Sequence, residues 1–316
     1  MKEYLWRRLA ATVVALVGVS LLVFGAMRLV PGTVVEQLLG QSALVGEETL
    51  QALRRFFGLD RVWYVQYLEF LGGALRGDLG ESWRSFRPVS HLIVERLPLS
   101  VELGTMAIAV SLAIGVPAGM VAASRRRSWV DNAVQAFSTL GLSVPAFWQG
   151  TLLILLFSKE LGWLPSLEWV PFTADPWENL KMLALPALTL GTASAAMITR
   201  MTRSALLDVI HSEYVRTARA KGVHERRVLW RHALRNALIP VVTVAGVQLG
   251  YIMAGIVVIE EVFSLPGLGR MLLNAIIQRD YPVVQGTVLF IATMFMLLNL
   301  LVDVLYAVID PRIRYD

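Results

Sequence analysis

Lysines are the residues through which this chain could hold ATP, because the P-loop motif places a lysine after a glycine and before a serine or threonine. The chain has four of them, Lys2, Lys159, Lys181 and Lys221, which follow Met, Ser, Leu and Ala. None has the required neighbours. The sequence therefore predicts that this chain does not bind ATP through a P-loop.

Hydrolysis within a membrane would need a nucleophile and a base at the same depth. Ser194 lies in a run of small residues, Gly191–Ala196, that superficially resembles a serine nucleophile site. The histidines, His91, His211, His224 and His232, all lie outside the long apolar runs. After His224-Glu225, Val228 stands where a zinc protease would need its second histidine. We predict neither a catalytic nor a metal site, and an intramembrane protease is kept as a minor alternative.

Ion-driven carriers commonly place ionisable residues within the bilayer as relays. The charges close to the apolar runs, Arg28, Glu102 and Asp303, stand at the ends of those runs. This placement favours anchoring at the membrane interface over a relay. A secondary carrier driven by an ion gradient is therefore the second minor alternative.

The composition indicates a membrane protein. Hydrophobic residues make up 56% of the chain and charged residues 17%, and the mean hydropathy is +0.59. Uncharged runs of about 20 residues are long enough to cross a bilayer as helices. The predicted spans are Leu9–Met27, Leu103–Ser124, Asn132–Ser158, Met182–Thr199, Ala237–Ile259 and Tyr281–Val302. We predict an all-α integral membrane protein with six transmembrane helices.

The distribution of Lys and Arg predicts the orientation of these spans. The short segments on the side of the N-terminus, including Arg125–Arg127 and residues 200–235, carry most of the basic residues, while acidic residues are more frequent on the other side. Cytoplasmic loops carry this excess. We predict that both termini are cytoplasmic in an inner (plasma) membrane. The basic pI of about 9.7 then reflects topology and not nucleic-acid binding.

Two segments outside the spans are too long to be simple connections. Residues 31–97 combine an amphipathic stretch at 50–57 with the breaker Gly58-Leu59 and the turn Gly77–Gly80. Trp63, Tyr64, Tyr67, Phe70 and Leu71 would leave much apolar surface in water, so we predict a small folded external cap.

The second long segment, residues 200–236, predicts two short helices joined at Gly222. Residues 213–221 are good helix formers, and residues 223–234 have apolar residues at helical spacing with basic residues between them. Gly222 fits a helix end with positive φ. Periodicity leaves two interpretations open, a helix gripped by a partner protein and a basic helix lying on anionic lipid.

Several motifs resemble one family in the same order along nearly the whole chain. They are Val30-Pro31-Gly32, Gly58-Leu59-Asp60, Gly77–Gly80, Ser143–Trp148, Glu213–Gly222, Glu260–Gly269 and Asp303–Arg312. The chain is similar to the permease subunits of binding-protein-dependent ABC importers, in the form found in dipeptide and oligopeptide permeases (also nickel and glutathione). The stretch Glu213–Gly222 resembles the "EAA loop" of that family.

The resemblance implies a type I importer fold and a set of partners. These are a second homologous permease, two cytoplasmic ATPase subunits that bind ATP and magnesium, and an extracytoplasmic solute-binding protein, with membrane lipid around the spans. No cofactor is implied for this chain and no nucleic acid. The loop residues that would couple to the ATPase are Glu213, Ala218, Arg219, Ala220, Lys221 and Gly222. One departure is that Arg216-Thr217-Ala218 stands where the general loop begins Glu-Ala-Ala.

We divide the chain into a first transmembrane helix (1–30), an external cap region (31–97) and a permease core (98–310) that contains the coupling loop (200–236). Ser143, Gln248 and Tyr251 are the predicted lining of the translocation path. Gln248 and Tyr251 are three residues apart and hence share a helix face. The cargo implied by the resemblance is a di- or oligopeptide, and the residues do not choose between it and glutathione-like compounds, nickel chelates or sugars.

Overall fold

The computed structural model describes residues 2–30, 32, 34–39, 47–164 and 169–309. Within these ranges the chain is helical, and a single bridge between Glu81 and Pro88 is the extent of its β-pairing. The predicted all-α fold is confirmed. Of the family motifs, Pro31 and residues 310–312 lie outside the described residues.

The structure describes thirteen α-helices. The first half contains α1 (Lys2–Leu29), α2 (Val34–Leu39), α3 (Glu47–Phe56), α4 (Trp63–Ala74), α5 (Val89–Ser124), α6 (Trp129–Ser143) and α7 (Ala146–Leu153). The second half contains α8 (Pro176–Ile210), α9 (Glu213–Ala220), α10 (Glu225–Arg227), α11 (Leu234–Val262), α12 (Leu268–Ile277) and α13 (Tyr281–Ile309). Two π-helical segments, Ile154–Glu160 and Val228–Ala233, continue α7 and precede α11.

Five helical segments are long and apolar enough to cross a membrane: Trp6–Leu29, Val89–Ser124, Pro176–Ile210, Val228–Val262 and Tyr281–Val302. They contain five of the six predicted spans. A sixth span results if the bent pair Trp129–Ser143 and Ala146–Glu160 is counted as one. The helical membrane architecture predicted from the apolar runs is thereby confirmed.

The predicted third span, Asn132–Ser158, is not one continuous helix. The chain bends by 102° between α6 and the helix that starts at Ala146. Val144 is extended, with φ −82° and ψ 124°. A residue before proline disfavours helical ψ, and Pro145 has no N–H to continue the helix. Pro186 and Pro240, in contrast, lie inside continuous helices.

Small residues let two helices of the main unit approach closely. Among the described residues, this unit comprises Leu99–Leu265 and 299–309. A Cβ atom built on Gly115 of α5 would lie 2.7 Å from Ile198 Cγ2, and one on Gly119 would lie 2.6 Å from the Thr199 carbonyl oxygen. The Gly115-x-x-x-Gly119 spacing on α5 therefore allows α8 to pack against its backbone, as in many membrane helix pairs.

The other unit comprises residues up to Pro98 together with Pro266–Leu298. Residues 31–97, the predicted cap, contribute two aromatic contacts: the Tyr67 ring meets Phe24 of α1 at 5.2 Å, and Trp83 lies 5.1 Å from Phe57. Trp63 and Tyr64, at the start of α4, remain 58% and 51% exposed. Helix α4 therefore turns Tyr67 and not these two residues towards α1.

Candidate functional site

The segment between α8 and α11 is two short helices around Gly222, as predicted. Helix α9 ends in a Schellman motif: Gly222 N–H donates to the Arg219 carbonyl at 2.9 Å and Val223 N–H to the Ala218 carbonyl at 3.3 Å. Gly222 has φ +75°, which confirms the predicted left-handed glycine. A Cβ atom at this position would meet nothing within 4 Å. Glycine is therefore required by the backbone conformation at this position and not by crowding from neighbouring atoms.

The inner face of α9 packs on the helix that follows it. Val215, Ala218 and Val228 form a buried cluster, with Val209 and Val223 against it. Ala218, one of the predicted coupling residues, is 9% exposed and points into this cluster. Its small side chain allows α9 to lie close to Val228. Ala218 thus holds the segment in shape.

A bidentate ion pair closes the segment across its turn. Arg219 donates from Nε and Nη2 to the two carboxylate oxygens of Glu225, at 3.0 and 2.7 Å. These hydrogen bonds lower the pKa of the Glu225 carboxyl below its usual range. The carboxylate form is present at neutral pH, and the contact is lost only as the pH falls through that lowered pKa. Sequence reasoning missed Glu225, although opposite charges on either side of the glycine were visible.

Tyr214 ties α9 to the following membrane helix. Its hydroxyl accepts a hydrogen bond from Asn236 Nδ2 at 2.7 Å and lies 3.4 Å from the His232 carbonyl oxygen. Asn236 is in the first turn of α11, directly after the π-helical segment Val228–Ala233. Movement of α9 can therefore be transmitted to a membrane-spanning helix in two ways, through the Tyr214–Asn236 hydrogen bond and through the apolar contact with Val228.

The outer surface of the segment is polar and basic. Glu213 and Arg216 form an ion pair at 2.9 Å whose side chains are 84% and 70% exposed, and such pairs contribute little to stability. Ala220, Lys221 and Gly222 are exposed. A groove of about 840 Å³ beside them is lined by Lys221, Gly222, Val223, His224, Arg227, Trp230 and Arg231. This surface suits an acidic partner with room for one aromatic contact.

A buried ion pair joins the start of α6 to α8. Arg203 donates from Nε and Nη2 to both oxygens of Asp131, each at 2.7 Å, and the Arg127 N–H donates to Asp131 Oδ2 at 3.0 Å. Asp131 is 2% exposed. Ser128 caps the helix by accepting the Asp131 N–H. Two residues 72 positions apart give no local sequence signal, and this pair was not predicted.

The three predicted path residues differ in their exposure. Ser143 is exposed at the end of α6, where its hydroxyl donates to the Thr139 carbonyl at 2.9 Å. Gln248 is 8% exposed, whereas Tyr251 is 69% exposed. Gln248 and Tyr251 thus differ in exposure although they are three residues apart on one helix, and their place in the translocation path stays a prediction.

A cavity of about 570 Å³ lies at the bend between α6 and α7. Gln149 Nε2 donates to Thr192 Oγ1 of α8 at 2.8 Å on its wall. Ser138 and Thr199 add hydroxyl groups, and the remaining lining, including Phe137 and Trp148, is apolar. The sequence signal for this cavity was the proline at 145, but only the bend shows which face it opens.

Comparison with known proteins places the chain in a family. Residues 115–315 match the family described as "Binding-protein-dependent transport system inner membrane component", and residues 1–104 match its N-terminal membrane component. The chain belongs to this family. It is accordingly a multi-pass inner membrane permease subunit of an ABC transporter. The subunit works with ATPase and binding-protein partners. It is not itself an ATPase, and it carries no cofactor of its own.

Relatives of this permease match it from end to end. A protein of Brucella abortus (strain 2308), named provisionally as a peptide transport system permease, is 44% identical over 100% of both chains. The di/tripeptide transport system permease protein DppB of Pseudomonas aeruginosa (strain UCBPP-PA14) is 42% identical, also over 100% of both. The dipeptide transport system permease protein DppB of Escherichia coli (strain K12) is 40% identical over 100% of this chain and 99% of its own.

A solved structure shows the fold independently. Inward-facing conformations of the MetNI methionine ABC transporter include a chain that matches this permease with a TM-score of 0.57 and 18% sequence identity. The match covers 69% of this chain and 96% of that one. At this identity the likeness concerns the fold alone.

Proposed function

We propose that this permease subunit pairs with a second, homologous permease to form a path for di- or oligopeptides, which a binding protein delivers and two cytoplasmic ATPase subunits drive. The observation that carries the proposal is the segment around Gly222. It is a short helix with a rigid end, fixed to the membrane helices on its inner face and basic and exposed on its outer face. This is the form that a docking element needs in order to transmit movement.

The residues of this segment divide between two roles. Glu213, Ala220, Lys221 and Gly222 form the exposed side that meets the ATPase subunit. Ala218 and Arg219 keep the segment in shape, through the Val215 cluster and the Glu225 ion pair respectively. The first role follows from exposure and the second from contacts.

Peptides are the cargo that the relatives support. The proteins of Pseudomonas aeruginosa and Escherichia coli named above carry di/tripeptides and dipeptides in their names, and both match the whole of this chain. The cavity at the α6–α7 bend fits such a cargo, since its hydroxyl and amide groups can meet peptide bonds while its apolar wall accepts varied side chains. We propose that Gln149 and Thr192 line the translocation path. The exposed residues Ser143 and Tyr251 also remain proposed lining residues, whereas the buried Gln248 serves helix packing.

We propose the orientation with both termini cytoplasmic, and the division into residues 1–30, 31–97 and 98–310. The orientation places the basic segment 200–236 on the side of the ATPase subunits. The boundary between the two matched family regions, after residue 104 and before residue 115, supports a division of the chain close to residue 97.

The function is tested by uptake of a radiolabelled dipeptide into vesicles. We expect ATP-dependent uptake when the vesicles hold this chain, the second permease and the ATPase subunits, with loaded binding protein outside. Vesicles that lack the ATPase subunits should take up none. Uptake by vesicles that hold this chain alone, or uptake that collapses with the proton gradient and not with ATP, would contradict the proposal.

A further inference from the structure

A basic pocket lies in the unit that contains residues up to Pro98 and Pro266–Leu298. It measures about 390 Å³ and lies between the turn at 81–88, α5 and α12. Four arginines line it: Arg84, Arg87, Arg96 and Arg270. Among the lining residues the single carboxylate is Asp280. The pocket lining therefore contains more arginines than carboxylates.

Asp280 is already fully used in building the pocket. It is 3% exposed, accepts the Ser82 hydroxyl at 2.5 Å on Oδ2 and accepts the Trp83 N–H at 3.0 Å on Oδ1. The Ser82 hydroxyl oxygen in turn accepts the N–H groups of Arg84 and Ser85, at 3.2 and 3.0 Å. These bonds fix the turn from which Arg84 projects. The arginines of this turn are thus presented by a rigid backbone.

Arg84 has a donor that the fold leaves unused. Within the described residues its Nε is buried and has no hydrogen-bond partner. Arg87 is paired with Glu95 at 2.5 Å, and Arg96 lies 3.8 Å from the same carboxylate and donates to the Leu92 carbonyl at 3.3 Å. A buried donor without an acceptor is costly. Because this atom is buried, an anion in the pocket would meet the guanidinium through the part of Arg84 that lines the wall.

The rest of the wall restricts the kind of anion. Leu92, Met271 and Val283 line the same pocket and are buried, with exposed fractions of 3–8%. An inorganic anion would use the arginines and leave this apolar surface unfilled. A carboxylate with an apolar group attached would use both. The planar guanidinium group also matches the geometry of a carboxylate.

We propose that this pocket binds the carboxylate end of a short peptide, with Arg84 and Arg96 on the carboxylate and the last side chain of the peptide on Leu92, Met271 and Val283. The carboxylate chemistry follows from the pocket itself. The choice of a peptide as its carrier rests on the proposed function. The site is separate from the cavity at the α6–α7 bend, which offers no charged group.

Calorimetric titration of the purified full chain in detergent tests the proposal, with alanyl-leucine, its C-terminal amide and inorganic phosphate as probes. We expect the free acid to bind about tenfold or more tightly than either of the others, since each tenfold is about 1.4 kcal/mol and a lost charged hydrogen bond costs at least that. Arg84→Gln should weaken binding of the acid by a similar factor. Arg76→Gln, which changes an exposed arginine outside the pocket, should leave it unchanged.

Two further variants keep the result interpretable. Arg84→Lys retains the charge without the planar fork and should bind the acid with intermediate affinity, and Arg96→Gln tests the pocket if Arg84→Gln unfolds. Three results would each overturn the proposal. The chain could bind the acid and the amide equally tightly, the Arg84→Gln variant could bind the acid as tightly as the unchanged chain, or phosphate could bind as tightly as the acid. Because the assay contains no ATPase or binding protein, its failure would leave the uptake result above untouched.

Discussion

Replacing Gly222 by valine is expected to abolish the stimulation of ATP hydrolysis by loaded binding protein, while the chain still inserts and still accepts that protein. The residue has φ +75°, and a β-branched side chain in this region costs on the order of 1–3 kcal/mol. No neighbouring atom would clash with a Cβ, so the effect comes from the backbone alone. The strain would open the Schellman turn and misalign α9 and the basic groove. The measurement is ATPase activity of the reconstituted complex with and without loaded binding protein.

Gly222→Asn is the matched control, because asparagine tolerates the left-handed region better than other residues with side chains. It should retain most of the stimulation. Glu213→Ala should have a weak effect, since its ion pair with Arg216 is exposed and worth under about 1 kcal/mol. If Gly222→Val kept full stimulation, the segment would be a helix lying on lipid and not a coupling element.

Asp131→Asn is expected to destabilise the chain strongly. The substitution leaves Arg203 partly buried without its carboxylate, and breaking a buried ion pair costs about 3–5 kcal/mol. The free energy of unfolding, measured by chemical denaturation in detergent micelles, should fall by about that amount. The double variant Asp131→Leu/Arg203→Met removes both charges and should recover much of the loss.

The exposed pair of Glu178 and Lys181 provides the control for charge alone. Their side chains are 39% and 36% exposed at 2.9 Å, so Glu178→Gln should cost under about 1 kcal/mol. Equal losses for Glu178→Gln and Asp131→Asn would contradict the account that burial makes the Asp131–Arg203 pair important.

The turn at Gly222 could be predicted because its cause is local. A glycine after a run of helix formers, followed by another amphipathic run, determines a left-handed helix end without reference to the rest of the chain. The apolar runs were predictable for the same reason, since length and composition alone decide whether a helix can span a bilayer. Neither the turn at Gly222 nor the membrane spans depend on contacts with residues far away in the sequence.

Features that depend on neighbours were not predictable. Pro145, Pro186 and Pro240 look alike in the sequence, yet the helix breaks at the first of these and continues through the other two. Likewise, Gln248 and Tyr251 are close on their helix, but packing covers one and leaves the other 69% exposed. Ala218 faces inward because Val228 lies opposite it, which spacing within α9 alone does not reveal.

Labelling of a single introduced cysteine tests most directly whether the segment around Gly222 docks on an ATPase subunit. The chain contains no cysteine, so Lys221→Cys and Arg76→Cys each give one site. We predict that a membrane-impermeant maleimide labels Cys at 221 in inside-out vesicles and that added ATPase subunits prevent this labelling. Cys at 76 should react only in right-side-out vesicles and be unaffected. Labelling at position 221 that proceeds equally with and without the ATPase subunits would contradict the account.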